Sequence, residues 1–96
     1  MTTLALPPMV GSRRRAHVLA EKLGGLQGVR VVVDCRDLIA ATESFADELI
    51  SEILVARGAS EMHFINVSDL EFANWVDEHA KVHGVSTRVK VDRKPV

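Results

Sequence analysis

Tyrosine is absent from this 96-residue chain, tryptophan occurs once and phenylalanine three times. Sites that stack nucleobases or cage cations are built from aromatic rings, so neither is expected here. A single cysteine, Cys35, excludes an internal disulfide. With no leader-like N-terminal segment, it points to a reducing, cytoplasmic setting. No apolar run approaches the roughly 20 residues needed to cross a bilayer. A formal net charge of −1 supplies no general attraction to nucleic acid or to an anionic membrane. Neither is expected as a partner. What remains, 47% hydrophobic and 26% charged residues without repeats or low-complexity tracts, describes one small globular domain over residues 1–96.

The apolar pattern alternates between two periods. "TLAL" (3–6) reads as a short first strand stopped by Pro7 and Pro8. Ser12 then caps a helix in which Ala16, Leu19, Ala20 and Leu23 form one stripe, ended by Gly24 and Gly25. "VRVVVD" (29–34) is β-branched and largely apolar, the mark of a strand covered on both faces. A second helix is expected from about Ser44 to Arg57, capped by Ser44, with Phe45, Leu49, Ile50, Ile53 and Leu54 facing the core. "EMHFINV" (61–67) is the next strand. "SDLE" (68–71) reads as a capping box opening a third helix that ends at Gly84. "VSTRVKV" (85–91) alternates as an edge strand, with Ser86, Arg88 and Lys90 on its solvated side. The last residues, "DRKPV", read as a tail. The order β-α-β-α-β-α-β predicts an α/β domain: a mainly parallel four-stranded sheet with helices packed on it, and 29–34 and 61–67 as its central strands.

Sites in open α/β sheets gather beyond the carboxyl ends of the strands. That rule directs attention to residues 34–44 and 66–69. Ser44, Asp47 and Glu48 suit the start of a helix by capping and by charge against its dipole. They equally suit a docking surface. A phosphate on Ser44 would meet Glu43, Asp47 and Glu48 within one turn, so modification there is expected to disrupt a contact rather than to order a loop. "LGGLQG" (23–28) follows a helix and precedes a strand, the reverse of a phosphate-binding loop, and reads as a turn. His79 and His83 share a helix face, but no third ligand has suitable spacing, so no metal is expected. Cys35 reads as a packed thiol. Arg13–Arg15 read as a solvated helix start, with docking to an acidic partner or to nucleic acid as the alternative.

"VVVDCRDLIAATESFADELI" (31–50) resembles the STAS domains, the bacterial anti-sigma-factor antagonists, and within them a STAS-like family of unassigned function. The similarity lies in Ser44-Phe45-Ala46-Asp47-Glu48-Leu49 after a strand ending in Asp34, with "GSRRRAHVLAEKL" (11–23) similar to that family's first helix opening. The resemblance implies a small α/β domain that binds proteins rather than catalysing. It also implies a partner kinase of the histidine-kinase-like ATPase fold. That kinase phosphorylates a serine at the start of the helix after the central strand, and this position aligns with Glu43 and Ser44. Phe45 stands where the antagonists commonly have glycine, and Cys35 where they have phenylalanine.

The expectation is therefore a non-enzymatic regulatory interaction domain without cofactor or metal. Its partner, an ATPase of anti-sigma type, would dock on the strand–helix rim at 37–48 through Asp37, Thr42, Glu43, Ser44, Asp47 and Glu48, with Ser44 as candidate phosphoacceptor. The alternative is an oligomerising module whose C-terminal edge strand pairs with another copy. A third reading is a small enzyme using Cys35 or the His79/His83 pair.

Overall fold

A computed structural model describes residues 1–95; Val96 lies outside the described residues. Four strands, β1 (Thr2–Ala5), β3 (Arg30–Asp34), β5 (Glu61–Val67) and β6 (Val89–Arg93), form one sheet in the order β1-β3-β5-β6. Every pair is parallel. Two further strands of two residues each, β2 (Met9–Val10) and β4 (Ala40–Ala41), pair in parallel beside it. Three helices, α1 (Arg13–Glu21), α2 (Glu43–Ile50) and α3 (Leu70–Val82), make the crossovers. This is the α/β architecture expected, with β3 and β5 central.

The strand order never reverses, so right-handed crossovers place all three helices on one face. Alternation along the strands shows which face. The registered row Leu4–Val33–Phe64–Val91 points into the helix layer, where Leu4, Val33 and Phe64 are buried. Phe64 meets Phe72 of α3 edge to face, ring centres 6.0 Å apart. Phe45, Leu49, Ile50, Ile53 and Leu54 line this core, as the helical spacing of α2 dictates. Each such side chain contributes about 1.5–3 kcal/mol of burial.

The opposite row, Thr3–Val32–His63–Lys90, has no helix over it. β3 is thus covered by helices on one side, not both. Side chains cover the other side instead. Arg30 donates to His63 Nδ1 at 2.8 Å and pairs with Glu61 at 3.2 Å. With Nδ1 accepting, the neutral ring carries its proton on Nε2, which donates to Asp92 at 2.7 Å.

Several ends differ from the sequence expectation. Thr42, not Ser44, caps α2: its hydroxyl accepts the Phe45 N–H at 3.2 Å. Asp69, not Ser68, caps α3, accepting from the Glu71 N–H at 2.9 Å, and the capping box does not form. α2 runs on as a π-helix over Ser51–Ala56. The last strand starts at Val89, because Ser86–Arg88 form a 3₁₀ turn. Arg88 leaves the predicted solvated face and turns inward, donating to the carbonyls of Leu54 at 3.3 Å, Ala59 at 2.5 Å and Ser60 at 3.3 Å. Asp92 and Arg93, predicted in the tail, belong to β6.

Candidate functional site: the carboxyl rim of the sheet

The rim is built where β3 and β5 end. Four residues of β5, Phe64 to Val67, span the register that three residues of β6, Val91 to Arg93, span opposite. The extra residue is accommodated by a left-handed backbone at Asn66, φ 58°. Its Nδ2 donates to Asp34 Oδ1 at 3.0 Å, and the Arg36 N–H donates to the same oxygen at 3.0 Å. The Asn66 bond, then the Arg36 N–H, hold the Asp34 carboxyl below its ordinary range. Asp34 is therefore a structural hinge post for the loop that follows.

That loop is tied down at once. Cys35 turns inward, buried, its N–H bonded to the Ile65 carbonyl at 2.9 Å. Ile39 and Ala40 both donate to the Pro8 carbonyl, at 2.8 and 3.0 Å, and the Thr42 N–H reaches the Val10 carbonyl at 3.2 Å. The β2–β4 pair thus clamps two loops together and leaves Met9 73% and Ile39 76% exposed. Beside them lies a shallow apolar cavity of about 200 Å³, lined by Met9, Val10, Gly11, Ala40, Ala41 and Thr42. Leu70, at the start of α3 on the same rim, is also exposed.

Among the predicted site residues, Asp37, Thr42, Glu43 and Ser44 are exposed on this rim. Asp47 and Glu48 are not available as a free acidic patch. They lie one turn further along α2, in its seams with the flanking helices. Arg13 of α1 pairs with Asp47 Oδ2 at 2.5 Å and with Glu48 at 3.3 Å. His83 of α3 meets Asp47 Oδ1 at 2.7 Å, and His79 Nδ1 lies 2.9 Å from the same oxygen. Burial pushes the Asp47 carboxyl up, but the bonds from Arg13 and His83 and the charges of both histidines outweigh it and hold it below the carboxylate range. These contacts also offset two of the three charges expected to repel a phosphate on Ser44.

The π-helical continuation of α2 makes a second contact with α1. Glu52 receives His17 Nδ1 at 2.8 Å, while His17 Nε2 lies 3.2 Å from Glu21. The bond to Glu52 raises the His17 pKa, and the same bond lowers that of Glu52.

Residues that sequence reasoning missed are Met9, next to Pro8 in β2, Ile39, just before β4, and Arg13 as the cross-helix partner of the acids. The first two carried a signal: large apolar residues outside any periodic stripe. Cys35 is a packed thiol, pushed up to about 12 by burial and, secondarily, by Asp34. Among the described residues, no group of three or more His, Cys, Asp and Glu side chains is arranged to hold a metal ion. Among them also, no helix is long and apolar enough to cross a membrane.

Small-molecule crevices in open α/β sheets form where the strand order reverses. Among the described residues this sheet has no reversal, so it has no crevice of that kind. No protein-family model, curated protein or solved structure matches the chain.

Proposed function

We propose that this chain is a non-enzymatic regulatory domain that docks a protein partner on its carboxyl rim. The observation that supports it most is the pairing of two exposed apolar side chains, Met9 and Ile39, with exposed Thr42, Glu43 and Ser44 on loops held by the Ile39, Ala40 and Thr42 N–H bonds to the Pro8 and Val10 carbonyls. Apolar anchors ringed by polar groups on a pre-ordered surface lower the ordering cost of association. The resemblance of Ser44–Leu49 to the STAS-like signature favours an ATPase of the histidine-kinase-like fold as partner. Ser44, exposed and not engaged as the helix cap, is the candidate phosphoacceptor. Asp37, Thr42 and Glu43 belong to the docking surface. Asp47 and Glu48 act from behind it, through the helix layer.

Capture from native-cell lysate, read by mass spectrometry, tests the proposal. The wild-type chain should enrich such an ATPase. Ile39→Asp and Glu43→Lys should each lose it, and Lys81→Glu, on the outer side of α3, should keep it. Retention by both rim variants would discard the rim.

β6 is an edge strand, as expected, but Val89 and Val91 pack on the core and its exposed residues are Lys90, Asp92 and Arg93. Charges along an edge discourage strand addition, so pairing of copies through β6 gains no support.

A further inference from the structure

The two edges of the sheet are unlike. β6 carries Lys90, Asp92 and Arg93, charges that discourage a further strand. β1 reads Thr2-Thr3-Leu4-Ala5, without charge or proline, and pairs on one side only, with β3. One bond fixes its backbone directions: the Leu6 N–H donates to the Asp34 carbonyl at 2.9 Å, toward β3. Backbone groups of successive strand residues point to opposite sides. Thr2 and Leu4 therefore also face β3, while the N–H and C=O of Thr3 and Ala5 face outward. Both residues are exposed. Among the described residues no strand or loop bonds to that edge.

A second feature flanks the same edge. α1 packs on α2, and α2 on α3, so α1 is the outer helix on the β1 side. Its Arg13 and His17 turn toward the acids Asp47 and Glu52. Arg15, Val18 and Lys22, three and four positions apart, form the opposite flank of the helix. Val18 is half-buried there, and Arg15 and Lys22 are exposed. Among the described residues neither of these two cations makes an ion pair.

We propose that β1 accepts an extended acidic peptide segment as a further strand of the sheet. Thr3 and Ala5 supply the main-chain bonds, and side chains of the added strand alternate between the two faces. Those on the Leu4 face come beside α1, where Arg15 and Lys22 select Asp or Glu. Those on the other face stand beside Thr3 and Ala5. The donors and acceptors of the edge match a peptide backbone, whereas phosphates offer acceptors only. A second copy of the chain fits poorly: two-fold pairing of β1 with β1 sets the Arg15–Lys22 flank of one α1 against that of the other, like charge to like. The edge is separate from the rim, and neither binding depends on the other.

Heptapeptides from a randomised phage-displayed library, selected on the wild-type chain, supply the probe, and the most enriched one is titrated into isotope-labelled protein. Enriched peptides should carry Asp or Glu at alternate positions. The bound peptide should slow hydrogen exchange at the Thr3 and Ala5 amides, which are open to solvent in the free chain. Arg15→Glu combined with Lys22→Glu should weaken it roughly tenfold, the size of two partly exposed ion pairs reversed. A version of the peptide with Lys in place of its acids should then bind the double variant better than wild type. Ala5→Pro removes an outward N–H where an edge strand tolerates proline, and should abolish binding; if it does not fold, the charge reversal decides. No enrichment, protection elsewhere than β1, or unchanged affinity in the double variant overturns the proposal. So does displacement of the peptide by an oligothymidylate, or a concentration-dependent dimer that protects the Thr3 and Ala5 amides without peptide.

Discussion

Oδ2 of Asp47 and the guanidinium of Arg13 meet at 2.5 Å across the seam between α1 and α2. The other oxygen of the same carboxylate faces α3, so one side chain joins all three helices. Asp47→Asn keeps the shape and removes the charge. We expect it to destabilise the fold by about 1–3 kcal/mol, the range for hydrogen bonds to charged groups with little solvent access. Urea unfolding at neutral pH measures this; Asp77→Asn, in an exposed pair with Lys81, should change stability by less than about 0.5 kcal/mol.

The pH profile of stability should fall on both sides. Asp47 and Glu52 have lowered pKa values in the folded state, so their contributions are present above the ordinary carboxyl range and are lost as pH falls through the folded values. His17 is raised, so its contribution is full below the ordinary imidazole value and is lost as pH rises through the raised one. Thermal unfolding across pH should show a declining limb above about pH 6.5 that His17→Gln flattens. An unchanged alkaline limb would remove His17 as its source.

Capping can be assigned by two substitutions. Thr42→Ala should cost about 1 kcal/mol and Ser44→Ala less than about 0.5 kcal/mol, because only the Thr42 hydroxyl receives an α2 N–H. Equal losses in denaturant titration would contradict the observed cap.

Arg88 serves the carbonyls at the end of the π-helical segment and the turn after it. Arg88→Ala leaves these carbonyls without their charged donor and should cost about 2–3 kcal/mol. Arg88→Lys should recover only part, since an ammonium cannot reproduce the planar fork. Chemical denaturation of the two variants side by side decides it.

Cys35 should resist thiol reagents in the folded chain at about pH 8, where an exposed cysteine reacts readily. Its burial and a pKa pushed up to about 12 leave little thiolate. Full labelling is expected only in denaturant, and rapid labelling of native protein would place the thiol at the surface.

Much of this fold was legible because its signals are periodic. The α2 stripe Phe45, Leu49, Ile50, Ile53, Leu54 and the β-branched run of β3 each specify an element and a buried face. Helix caps were less legible: Thr42 and Ser44, or Ser68 and Asp69, are rival oxygens one or two positions apart, and backbone geometry selects between them. The alternation in "VSTRVKV" predicts a strand, yet Arg88 gains three carbonyls by turning inward, and tertiary bonding overrides the local pattern. β2 and β4 are too short for any period to register. The fate of Asp47 was hidden for a different reason: its partners Arg13 and His83 lie 34 and 36 residues away, and only the packed helix layer brings them together.

The uninterrupted strand order has a kinetic side. Each strand of the main sheet is laid beside its predecessor in the chain, so no segment must wait for a distant one before closing its own loop. A growing chain can therefore assemble crossover by crossover from its first strand. The docking of β6 completes the sheet and brings Arg88 to the waiting carbonyls and Asp92 to His63.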